Sequence, residues 1–184
     1  MTIQYPHTIE NGQGEILTFD AVEHEPDGDR VVGENWVQPG FGPPMHTHFL
    51  QDEVFTVISG KIGYQILGGP EQFAGPGETA IFKRGVPHRF WNAGDDVLHC
   101  KAWVKPADNF VYFLTGIFDA QKKSGKAQPD MFDAAFLLTR YKSEFDMLEI
   151  PVFVKKVIFP VVVFFGKLLG KYKHFADAPE PVKA

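Results

Sequence analysis

Two clusters of metal-binding side chains, set well apart in the chain, constrain this sequence more than any other feature. The first reads Gly40-x5-His46-x-His48-x4-Glu53-x6-Gly60; the second runs from Gly77 to His88 and Asn92, behind the turn Gly85-Val86-Pro87. Three of the seven histidines and one carboxylate thus occupy positions from which strands can aim them at a single ion. Side chains alternate between the faces of a strand, so His46 and His48 point the same way. Phe49-Leu50-Gln51-Asp52 has the length of a hairpin loop. Such a loop predicts that Glu53 opens a returning strand almost opposite His48, with Cβ atoms roughly 5 Å apart. His88, Phe90 and Asn92 share a face of their own strand. Because His88 comes from far along the chain, it joins the others only if the sheet closes on itself.

The surrounding sequence has the character of such a sheet. Strand-like runs cover 52–59, 61–67, 79–83, 88–92 and 97–104, and Gly60, Gly68-Gly69, Gly75-Pro76-Gly77 and Gly94-Asp95-Asp96 separate them. Short strands with turn signals at these intervals predict a sandwich or barrel. Residues 1–30 are acidic, with seven Asp or Glu against one Arg. Within them, 16–19 reads as an edge strand and 25–29 as a turn. There is no internal repeat, no βαβ alternation and no phosphate-binding glycine loop.

Three imidazoles and one carboxylate suit a single divalent ion, Fe(II), Mn(II), Ni(II) or Zn(II), and leave open positions on an octahedral one. No thiolate lies nearby, which argues against an iron–sulfur or Cys-type zinc site. Cys100, the one cysteine, reads as a buried structural thiol and can form no intrachain disulfide. If His46, His48 and Glu53 face inward, parity puts Phe55, Val57, Ile62, Tyr64, Ile66, Phe90 and Asn92 on the inner face as well. Most inward residues of a barrel simply fill its core. Around a metal, however, an apolar lining favours an aromatic or otherwise hydrophobic organic substrate, and the Tyr64 hydroxyl is placed to orient it. His7, His24 and His174 lie in polar or terminal stretches and read as solvated; His99 reads as structural.

These residues carry a resemblance. The chain is similar to cupins, in particular to small single-domain bacterial cupins of the quercetin-dioxygenase-like type. Gly40, His46, His48, Glu53 and Gly60 match the first cupin motif, and Gly77, Gly85, His88 and Asn92 match the second. Lys83 departs from the pattern, standing where the family usually has proline; it alters a turn and supplies no ligand. The resemblance covers about residues 30–107, extends weakly to Gly14-Glu15, and leaves the C-terminal third unexplained. It implies an all-β cupin fold, a double-stranded β-helix (jelly-roll) barrel of six to eight antiparallel strands, here with a C-terminal α-helical extension. The division expected is 1–107 for the barrel domain and 108–184 for the helical extension. The resemblance also implies a metal held by His46, His48, Glu53 and His88, with Glu53 able to leave it and act as a base, and a homodimer. The function it points to is a dioxygenase-like oxidoreductase acting on a small aromatic or enolisable substrate. A non-redox isomerase or hydrolase, and a module that binds or senses a small ligand without catalysis, are the other readings.

At 184 residues with 44% hydrophobic and 22% charged content, the chain suits one well-buried domain plus an extension. A net charge of −5 disfavours nucleic-acid binding. The N-terminus shows no secretory pattern, and a cytoplasmic location is expected. After Pro106 the apolar period becomes helical. Asp108 is placed to cap a helix from Asn109 that stops at Gly125, and Asp130 to cap a second. A third apolar segment follows Pro151. Its uncharged stretch between Lys156 and Lys167 has ten residues, against about 20 for a membrane-spanning helix, so no transmembrane span is expected. Lysines 155, 156, 167, 171 and 173 border an apolar face; packing against the barrel or within a dimer is favoured over contact of 152–173 with a membrane surface. Pro160 should kink or break this helix. Residues 176–184 read as a loose end.

Overall fold

The computed structural model describes residues 3–183. In chain order its strands are β1 (His7–Glu10), β2 (Glu15–Glu23), β3 (Arg30–Val37), β4 (His46–His48), β5 (Asp52–Ser59), β6 (Ile62–Ile66), β7 (Gln72–Ala74), β8 (Thr79–Phe82), β9 (His88–Asn92), β10 (Leu98–Lys105) and β11 (Phe145–Met147). They form two antiparallel sheets, in the orders β1-β2-β3-β10-β5-β8 and β11-β4-β9-β6-β7. This is a jelly-roll barrel. Alternation sets the inward faces: in β9, His88, Phe90 and Asn92 are buried while Arg89 and Trp91 are half-buried. Ile66, Tyr64 and Ile62 of β6 pair opposite those three residues and so share their face.

Two local expectations are corrected. The run at 16–19 is not an edge strand, because β1 pairs along β2 from His7–Phe19 to Glu10–Ile16. The segments around His48 and Glu53 do not form a hairpin. Both flanks of β4 are taken, one by β9 through His46–His88 and the other by β11 through Phe145–His48. The chain therefore crosses at residues 49–51 into the other sheet, where β5 lies between β10 and β8. The His46/His48 and Glu53 side chains meet across the barrel rather than across a ladder.

Helix α1 (Phe110–Ser124) has Asn109 rather than Asp108 at its N-cap position; Asp108 has φ of 36°, outside the usual cap conformation. The Asn109 side chain makes no cap bond; it donates instead to Glu144 Oε1 at 2.8 Å. Gly125 ends the helix in the left-handed conformation, as expected. Asp130 accepts from the backbone N–H of Phe132 and Asp133 and caps α2 (Met131–Arg140). The helices share one core with the six-stranded sheet, in which Leu17, Phe19, Val31 and Val104 pack with Phe110, Phe113 and Leu138. Because the extension also returns β11 to the barrel, its fold is interwoven with that of the strands.

The third helical segment absorbs Pro160 without breaking. A π-helical turn (Val154–Ile158) leads into α3 (Phe159–Leu168), and the wider turn accommodates the missing N–H. The segment does not lay its broad apolar face on the barrel. It touches the protein along a narrow stripe of Val154, Phe159, Val162, Val163 and Gly166. Gly166 is required there, since a Cβ would fall 2.4 Å from the Tyr172 hydroxyl. The end of the chain is pinned rather than loose: Arg140 and Tyr141 donate to the Pro179 carbonyl, and Val182 N–H donates to Glu144. Met1, Thr2 and Ala184 lie outside the described residues. Among those described, no helix is long and apolar enough to cross a membrane.

Candidate metal centre

Four donor atoms, one each from His46, His48, Glu53 and His88, lie within 4.8 Å of one another. The barrel brings them together from three strands and both sheets. The loop before β4 sits hard against β9, because Gly42 has φ 154° and a Cβ there would fall 2.2 Å from the Phe90 carbonyl oxygen. The turn before β9 is fixed by Gly85 N–H donating to the His48 carbonyl at 2.7 Å. The ring of Phe82 stacks on His88 at 4.1 Å with 4° between planes. Phe110 and Phe145 each lie 5.5 Å from the His48 ring.

The protonation pattern fits a cation. Nδ1 of His46 donates to the Pro44 carbonyl at 2.8 Å, and Nδ1 of His88 to the Val86 carbonyl at 2.9 Å. In a neutral imidazole this leaves the lone pair on Nε2. His88 Nε2 lies 3.1 Å from Glu53 Oε2, and His48 Nε2 lies 3.9 Å from the same oxygen. At 3.1 Å, His88 Nε2 and Glu53 Oε2 are joined either by a proton on the ring nitrogen or by a metal ion held between them. Both ring nitrogens of His48 are buried without a hydrogen-bond partner among the described residues, although such groups are normally satisfied. Burial first, and the neighbouring imidazoles after it, push His46 down to about 3. Burial likewise pushes His48 down to about 4, against the pull of Glu53. For Glu53, burial acts upward, but the imidazoles of His48 and His88 outweigh it and hold the carboxyl well below its ordinary value. Near neutral pH, His46, His48 and Glu53 therefore stand in the states that ligate metal, with no proton to displace.

A cavity of about 940 Å³ opens from this group, lined by His46, His48 and Glu53 and by residues of α1, α2 and the C-terminal segment. Phe55 and Phe90, with ring centroids 4.5 Å apart, lie on its wall. Val57 and Ile62 face inward too, but they pack with Val37 and Leu98 in a solid apolar core. The Asn92 amide ties strand ends together by donating to the Val37 and Asp96 carbonyls. Ile66 is half-buried at the His88 level and does not line the cavity. Tyr64 lies outside the lining as well, and its hydroxyl donates to Gln72 Oε1 at 3.2 Å. Parity tells which way a side chain points; it does not tell how deep the barrel is filled.

Glu15 and Asn35 are among the cavity residues that the motifs do not name. Glu15 is buried and accepts from Asn35 Nδ2 at 3.0 Å, while Asn35 Oδ1 has no partner among the described residues. Burial pushes the Glu15 carboxyl up to about 7, against the Asn35 hydrogen bond and with help from the Glu53 charge. The available signal was phase: Glu15 alternates in step with Leu17 and Phe19, both buried. Cys100 is buried, as expected, and burial pushes its thiol up to about 12. His99 stacks on Trp36 at 4.8 Å and pairs with Glu34 at 2.8 Å.

Residues 36–104 match the family model described as Cupin domain. Oxidoreductase iacF of Pestalotiopsis fici is 32% identical over 101 residues, which are 49% of this chain and 48% of that protein. The chain thus spans about half the length of the curated relative it matches. Among solved structures, KdgF from Halomonas sp. aligns with a TM-score of 0.45 at 18% identity, covering 53% of this chain and 85% of that one. An uncharacterized conserved protein with a double-stranded beta-helix domain from Klebsiella pneumoniae aligns with a TM-score of 0.41 at 24% identity, covering 58% and 78%.

Proposed function

The chain belongs to the cupin superfamily through the domain at residues 36–104, and from that premise we propose that it is a metal-dependent, dioxygenase-like oxidoreductase acting on a small apolar molecule that binds as an anion. The observation that carries this reading is the convergence of His46, His48, Glu53 and His88, whose donor atoms lie within 4.8 Å of one another, with His46, His48 and Glu53 on the wall of a cavity of about 940 Å³. His46, His48, Glu53 and His88 would hold one divalent ion, Fe, Mn, Ni or Zn. Three neutral imidazoles and one carboxylate would leave such an ion with net positive charge, which would lower the pKa of an enol, phenol or carboxyl group beside it and, with a redox-active metal, would supply redox chemistry toward dioxygen.

The protein's own residues supply the rest. Phe55 and Phe90 hold the apolar body of an aromatic or enolisable substrate and exclude water. Glu53, once it leaves the metal, would take the proton that the substrate loses on ionising. Dioxygenation then places both atoms of O2 in the product and needs no further reductant. The 32% identical relative named an oxidoreductase agrees in class. The test is elemental analysis of the purified protein, then oxygen uptake across flavonols, catechols and diketones after anaerobic iron loading. Glu53→Gln, supplied with enough metal to fill its weakened site, should abolish uptake. If no metal restores uptake with any substrate class, the redox reading fails.

Glu15 favours a second reading, that of a non-redox isomerase or lyase. A buried carboxyl poised near neutrality can take a proton from carbon and return it elsewhere. Solvent deuterium appearing in an enolisable substrate without oxygen, and lost in Glu15→Gln, would establish it.

A further inference from the structure

The segment 152–169 presents its wider apolar side away from the protein. Phe153, Phe164, Leu168 and Leu169 are 64%, 60%, 69% and 64% exposed, and Val157, Val161 and Phe165 about half so. Its inward stripe is narrow, with only Phe159 and Gly166 fully buried. A helix of this length, apolar on the side that lacks protein contacts, requires a partner.

Charge selects that partner. Between Glu149 and Asp177 stand five lysines and no acidic residue. The rest of the chain carries thirteen basic against twenty-three acidic groups. Lys156, Lys167, Lys171 and Lys173 are exposed, with Lys171 Nζ 5.7 Å from the Phe132 ring centroid, whereas Lys155 is bound to Asp146 at 2.6 Å. A second copy packed helix on helix would set this positive segment against itself. An anionic lipid surface would take both features at once, the phenylalanines and leucines entering the acyl boundary and the lysines meeting headgroups. We propose that residues 152–169, with Lys171 and Lys173, dock the protein in-plane on an anionic bilayer. The same segment gives Val154 and Phe159 to the cavity wall. Docking therefore leaves the cavity one helix, about 10 Å, from the lipid, and membrane-partitioned apolar molecules become the substrate class at hand.

The test is flotation of the full chain with vesicles of equal parts phosphatidylglycerol and phosphatidylcholine, against vesicles of phosphatidylcholine alone. The wild type should float with the anionic vesicles only. Phe164→Ser with Leu168→Ser should abolish binding. Lys156→Gln with Lys167→Gln should weaken it about thirtyfold, from roughly a factor of five per lysine near the surface. All four positions are exposed, and unchanged circular dichroism and melting would show the fold intact. Absence of flotation, equal binding to neutral vesicles, or binding indifferent to these substitutions would overturn the proposal. So would a dimer, seen by light scattering, that Phe164→Ser with Leu168→Ser dissociates while vesicles fail to bind. Flotation is read without metal or substrate, so its outcome is independent of the metal chemistry.

Discussion

Replacing Glu15 by Gln should change how stability depends on pH, by an amount set by the burial of one carboxyl. In the folded protein Glu15 titrates at about 7, against 4.5 for an ordinary glutamate. The folded state therefore binds more protons than the unfolded state between those values. The Glu15 contribution to stability is full below about pH 4.5 and is lost as pH rises through about 7. The whole shift corresponds to about 3 kcal/mol, of which roughly 2.5 kcal/mol falls between about pH 5 and about pH 8.5. Gln keeps the acceptor for Asn35 Nδ2, and its new amide donor can meet Asn35 Oδ1, which has no partner among the described residues. The substitution thus removes the titration while sparing the contact. The assay is urea unfolding of chelator-treated wild type and variant at the two pH values, with m-values compared to show that the denatured states match. Relative to wild type, the variant should gain about 2–3 kcal/mol at the higher pH over the lower. A bound divalent ion would offset the Glu53 charge that helps raise Glu15, so metal loading should shrink the difference. A variant whose advantage is the same at both pH values would refute the argument, because Glu15 would then be ionised and reached by water.

The remaining expectations concern the metal site and the helices. His88→Ala and Glu53→Gln should each weaken divalent-metal binding by at least tenfold to a hundredfold, measured by competition with a chromophoric chelator; unchanged affinity would remove that residue from the ligand set. Phe82→Ala should cost about 3–5 kcal/mol in chemical denaturation and loosen metal binding, since it takes away the ring stacked on His88. Without metal, stability should fall as pH drops below about 6.5, because unfolded His46 and His48 gain protons that the folded ones, at about 3 and about 4, refuse; calorimetry across that range would show it, and a flat profile would count against their burial. Asp130→Ala should cost about 1 kcal/mol, the usual value of an N-cap.

Much of the centre was legible because ligand type and strand parity are local properties. His46 and His48 share a face in any strand, and His88, Phe90 and Asn92 share another. The route by which Glu53 reaches them was not legible. A four-residue connection suits a hairpin as well as a crossing between sheets, and the choice was made by β9 and β11 occupying both flanks of β4. Glu15 was missed because a carboxylate in an acidic stretch looks solvated until a packed sheet excludes water from it. Asp108 is a good cap by type, but the chain turns at Asn109, whose amide is committed to Glu144.

By itself, the sequence determined the strand periods, the glycine turns and the identity of four donors, since these depend only on neighbours in the chain. Tertiary structure decided which sheet holds each donor, how much of the barrel is cavity, and which side of the lysine-bordered segment lacks a protein partner. Those outcomes follow from which surfaces compete for burial against one another, and that competition is settled only when distant parts of the chain meet.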